Sequence, residues 1–135
     1  MTTEEILLLL DRKYELLKII SCDALEQWEN IETEDLDALE YVINRRDRFM
    51  SEISEIDEKI AVSDFNQGLE ELEEKKKSIR SLAFEIATMD RKNMIAMENL
   101  IETNKEDLKK VKIGIKLNSA YNPNSMESVL MNRES

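Results

Sequence analysis

A chain of 135 residues has room for one domain. Its 41% hydrophobic and 36% charged residues, with only two glycines and one proline, point to long helices. A net charge of −11 makes it a poor partner for phosphate backbones or anionic lipid, so neither nucleic acid nor a membrane is an expected partner.

The charge is unevenly placed. Residues 1–64 hold 18 acids against 7 bases, while residues 65–135 hold 12 of each. The chain has no histidine, no glycine-rich phosphate loop and no nucleophile elbow. Its carboxylates recur at helical spacing beside basic residues, as on a solvated surface, and nothing suggests the contrasted pair that catalysis needs. A binding protein without catalytic, cofactor or metal site is the expectation. Cys22 stands alone, which rules out an internal disulfide and fits a reducing cytoplasm. Lying among apolar residues, it reads as a buried, inert thiol. The apolar run Ile6 to Leu10 is too short to span a bilayer and lacks a basic leader.

In chain order, Thr2 and Glu5 have capping-box spacing and open the first helix. Ile6, Leu9, Leu10, Leu16, Leu17, Ile20, Ala24, Leu25 and Trp28 carry its apolar side, and it should end near Asn30. Trp28 reads as a lid on the end of a bundle. Thr33 is the expected N-cap of the second helix, with Glu34, Asp35 and Asp37 suiting its dipole. Leu36, Leu39, Ile43, Met50, Ile53 and Ile60 form a heptad-like seam. Arg46 and Asp57 fall where that seam expects apolar groups, so each sits at its margin or pairs there.

Ser63 to Gly68 is a polar reversal. Asp64-x-Asn66-x-Gly68 fails as a calcium loop, because its glycine comes one place early and Lys75 stands at the twelfth position. From Gln67 to Tyr121 no proline interrupts, and apolar residues return at steps of three and four. The spacing predicts one long third helix of roughly 75–80 Å, with a break near residues 90–94 left open by Asp90, Arg91, Lys92 and Asn93. Lys109, Lys110, Lys112 and Lys116 suit a helix C-terminus, and Gly114, Asn118 and Asn122-Pro123-Asn124 then dissolve it.

The expected fold is therefore all-α: three antiparallel helices, up-down-up, in a coiled-coil-like bundle over residues 1–121. The tail, 122–135, is either unstructured or a short docking helix. The last third of the long helix would outrun its neighbours and expose Met97, Leu100, Ile101, Leu108, Val111 and Ile115. Such a stripe marks a partner site or a homodimer interface, and the methionines at 89, 94 and 97 suit a helical ligand.

The sequence Leu36-x-x-Leu39-x-x-Val42-Ile43-x-Arg45-Arg46-Asp47-x-Phe49-Met50 is followed by Ile86-x-x-Met89-Asp90-x-x-Asn93. The chain then ends Leu108-Lys109-Lys110, Gly114-x-Lys116, Ala120-Tyr121, with a short tail holding Val129-Leu130. This order resembles the FlgN/FliT group of flagellar export chaperones, small acidic helical proteins of the cytoplasm. The resemblance implies a chaperone that masks the C-terminal helical segment of a hook-associated or filament-cap protein before type III export. It implies that the substrate groove spans Met97 to Ile115, that Tyr121 docks at the export gate, and that Met126, Val129 and Leu130 belong to a tail that can cover the groove. Where the FlgN pattern often has a glycine soon after the tyrosine, Asn122-Pro123 stands here, which leaves the cargo open between FlgN-like and FliT-like. The competing class is a self-associating structural coiled coil without cargo. A third is an anti-activator that binds a transcription factor.

Overall fold

A computed structural model describes residues 1–63, 70–104 and 107–120. The described residues form α1 (Thr3–Glu32), α2 (Leu36–Ala61), α3 (Glu70–Thr103) and α4 (Leu108–Ala120), and the fold is all-α. The first two helices match the expected elements closely. The expected single third helix does not form, because the chain turns at Asn104 and α4 folds back along α3. The tail and most of the second turn lie outside the described residues.

Thr2 Oγ1 accepts from the Glu5 N–H at 3.1 Å, half of the expected capping box. α1 runs two residues past Asn30 and ends in a Schellman turn. The Asp35 N–H donates to Asn30 O and the Glu34 N–H to Ile31 O, with Glu34 at a φ of 56°. Asp35, not Thr33, then caps α2, its carboxylate accepting from the Ala38 N–H at 3.2 Å. Two caps in successive residues explain why the connection is so short.

α1 packs against both α2 and α3. Arg12 pairs with Glu52 and Arg45 with Asp23, so α2 runs opposite to α1. Lys75 pairs with Asp11 and Asn93 bonds to Ala24, so α3 runs alongside α1 in the same direction.

The apolar interior comes in two parts. Ile6, Leu10, Leu17, Ile20, Ile53, Leu72, Ile79 and Ile86 fill one part. Ile31, Leu36, Leu39, Ile43, Met97, Ile113 and Leu117 fill the other. Each such side chain contributes about 1.5–3 kcal/mol when fully buried. Between the two lies a polar layer. Arg46 and Asp90 are fully buried and joined by two parallel hydrogen bonds. Asn93 Nδ2 donates to Ala24 O at 3.0 Å and to Gln27 Oε1 at 3.2 Å. Asp57 likewise meets a buried partner, Lys13, at 2.5 Å. The charges in the second-helix seam are thus internal ties, and neither lies loose at a margin.

Candidate docking surface

α4 is built to turn back. Asn104 Nδ2 donates to Leu100 O, the Asn104 N–H to Ile101 O, and the Asp107 N–H to Asn104 O, closing a tight reversal. Asp107 Oδ1 then accepts from the N–H groups of Lys109 and Lys110, capping α4 with a negative group at its positive end. No glycine or proline is needed for this turn.

The inner face of α4 carries Ile113 and Leu117 into the second core. Gly114 brings the two backbones close, since a Cβ there would overlap Ile101 Cδ1 and touch Met97. The lysines reach across to the acids that open α2. Lys109 pairs with Asp37 at 2.6 Å, Lys110 with Glu34 at 2.6 Å and Lys116 with Glu40 at 3.6 Å. The hydrogen bond to Asp37 holds Lys109 charged above its ordinary range. Three of the four lysines in the run therefore make docking contacts along α4, and do not compensate one long helix's C-terminus. They also give part of the N-terminal acid excess a use.

On the outer face, Leu108, Val111 and Ile115 recur at steps of three and four, opposite Ile113 and Leu117. Leu108 is 76% exposed and Ile115 65% exposed, with Val111 half-buried between them. α4 is thus apolar on two sides, and among the described residues only the inner one packs into a core.

The residues expected to form one stripe fall into three groups. Met97, 2% exposed, lies in the second core beneath α4, and half-buried Ile101 packs against it. Leu108, Val111 and Ile115 stand on the outside of α4. Leu100 also lines a hollow on the α1 side of α3. Tyr121, Met126, Val129 and Leu130 lie outside the described residues.

Three residues differ from expectation in the first helix, among them Leu25, which is 56% exposed and not on the packed side. Trp28 is a side wall of that hollow, with Lys92 Nζ 4.9 Å from its ring centre, and not a lid on the bundle end. Cys22 is exposed beside Lys18 and Arg45, not buried. Of the apolar neighbours that suggested burial, Ile20 and Ala24 are buried on the other side of the helix, while Ile19 lies beside the thiol on the exposed side.

Among the described residues, no group of acids and cysteine is placed to hold a metal ion, and no helix is long and apolar enough to cross a membrane. The described residues form a helical body that leaves apolar side chains such as Leu108, Ile115 and Ile95 exposed, a feature of protein-binding surfaces. The family model described as FlgN protein matches residues 1–128. The chain belongs to the FlgN family, a family of flagellar export chaperones and not of enzymes. No curated protein and no solved structure matches it.

Proposed function

We propose that this chaperone binds the C-terminal helical segment of a hook-associated or filament-cap protein in the cytoplasm, masks it and delivers it to the export gate. The supporting observation is the outer stripe of α4. Leu108, Val111 and Ile115 present an apolar strip of two helical turns with no partner among the described residues. An amphipathic cargo helix laid along that strip would bury its own sticky face there, which is the helix-in-groove mode. Met97, Leu100 and Ile101 do not continue the strip: Met97 is in the core beneath α4, Ile101 packs against it, and Leu100 lines the hollow on the α1 side of α3. Tyr121 is the proposed contact with the gate, and Met126, Val129 and Leu130 the proposed cover of the strip in the absence of cargo.

The self-associating coiled-coil reading has less support. It calls for a long uninterrupted seam, whereas α3 stops at Thr103 and its seam carries buried Asp90 and Asn93.

Calorimetric titration with C-terminal peptides of the hook-associated and filament-cap proteins of the same organism tests the proposal. Tight 1:1 binding of one peptide and not the others supports it and names the cargo. Leu108→Asp should abolish that binding and leave helix content nearly intact, since an exposed substitution changes stability by only about 0.5 kcal/mol. No binding by any peptide, together with a stable dimer in sedimentation, would move the assignment to the structural class.

A further inference from the structure

α4 shows what this body accepts on its flank. It lies against α2 and α3, apolar residues turned in, lysines on acids. The flank of α3 that faces α1 offers a second groove of the same kind, and no described helix fills it. It is a hollow of about 520 Å³. Trp28 and Ile31 form one wall, and Ile95, Ala96 and Leu100 the other. Ile95 is 59% exposed, and Leu25, one turn before Trp28, is also open to solvent. Single exposed apolar residues are ordinary, but consecutive turns of two adjacent helices that stay open mark a contact surface. The single methyl of Ala96 leaves room for a partner backbone to come near.

The charge around this groove selects its occupant. Glu29 and Glu32 are exposed on the closing turns of α1, and the last turn of α1 carries no basic residue. Of these, Glu32 lines the groove beside Glu34, which pairs with Lys110, and the negative end of the α1 dipole adds to Glu32 at one mouth. Lys92, the basic residue lining the groove, sits over the Trp28 ring.

We propose that the α1/α3 groove is a second docking site, taken by a basic amphipathic helix of a partner protein. Its apolar residues, spaced i, i+3 or i+4, i+7, would lie on Trp28, Ile31, Ile95 and Leu100, with lysine or arginine over Glu32. The site is on a different face from the α4 strip and does not depend on which protein that strip carries.

Trp28 is the sole tryptophan and lies in the groove, so its emission reads occupancy directly. The probe is a tryptophan-free Leu/Lys peptide of about four helical turns with leucine at the stated spacing, beside a counterpart with every lysine changed to glutamate. The Lys peptide should shift Trp28 emission to the blue and the Glu peptide should not. Ile95→Asp and Glu32→Lys should each weaken the Lys peptide by about tenfold or more. Leu108→Asp should leave it unchanged, which separates this site from the cargo strip. Equal response to both peptides overturns the proposal, as does insensitivity to Ile95→Asp. Trp28 emission that follows protein concentration alone, in step with a dimer in sedimentation, also overturns it by giving the groove to a second copy.

Discussion

Arg46 on α2 and Asp90 on α3 meet face to face, with Nη1 2.8 Å from Oδ1 and Nη2 2.7 Å from Oδ2, both side chains shut away from water. α1 packs closely on both helices, while the long Arg46 side chain spans from α2 to α3. Burying two charges yields little net stability, because desolvation offsets the attraction. What the pair fixes is register. Slide α3 by one turn and both charges are buried away from each other.

Asp90→Ala should therefore destabilise the protein by about 3–5 kcal/mol, since it strips a buried guanidinium of its carboxylate. Arg46→Met with Asp90→Leu should recover most of that loss. Urea unfolding of the three variants checks both statements. A single-variant loss below about 1 kcal/mol would mean that the pair behaves like an exposed one.

Gly114 sets how closely α4 can dock. Alanine there gains about 1 kcal/mol of helix propensity. It must also rotate the end of Ile101 out of the way, at about 0.5–1.5 kcal/mol. Gly114→Ala should come out near neutral. Gly114→Leu has no such escape, because its branches would fill the space held by Ile101 and Met97. Overpacking of about 1–3 kcal/mol should lift α4 away. Hydrogen exchange should then quicken over 108–120 and stay slow in α1. Uniform quickening along the whole chain would instead mean that α4 is part of one cooperative unit.

These two sites are also where sequence and structure part. α1 and α2 were legible because their apolar residues repeat at three and four and their first turns carry caps. The α3–α4 turn was hidden. It uses Asn104 and Asp107, both of which also occur inside helices, and the apolar period resumes after it almost in phase. Gly114 looked like a helix terminator but lies inside α4, at a close approach that only a tertiary neighbour reveals. Arg46 and Asp90 looked like breaks in two separate seams, since periodicity along one helix says nothing about which charge faces it from another. Leu108, Val111 and Ile115 were readable as apolar at helical spacing. That α4 would point them outward and put Met97 underneath depends on the turn.

Arg12 bonds to Glu52 through Nε at 2.6 Å and Nη2 at 3.1 Å, and this hydrogen bonding holds the Glu52 carboxyl below its ordinary range. A carboxyl whose pKa is lowered by folding adds stability above its unfolded value of about 4.3. That stability is lost as pH falls through the lowered folded value. NMR titration should find Glu52 among the last glutamates to protonate. Arg12→Gln should return it to the ordinary range and remove this part of the acid dependence. A Glu52 that titrates unchanged in Arg12→Gln would show that the pair does not persist in solution.

Glu34 joins one cost and one gain. Its φ of 56° is a left-handed conformation that costs an ordinary residue about 1–2 kcal/mol. Glycine would adopt it freely. Its carboxylate, however, accepts from Lys110 Nζ at 2.6 Å, and the Lys110 side chain is almost wholly covered. Two substitutions separate these effects. Glu34→Gln keeps the backbone cost and removes the charge, so it should loosen α4 by about 1 kcal/mol. Glu34→Gly removes the charge and relieves the backbone, so its global stability should exceed that of Glu34→Gln by about 1–2 kcal/mol. Both variants should show faster hydrogen exchange in α4 than the parent protein. If Glu34→Gln is the more stable of the two, the left-handed turn is not under strain. If α4 exchange is unchanged in both, the Lys110 contact does not hold that helix in place.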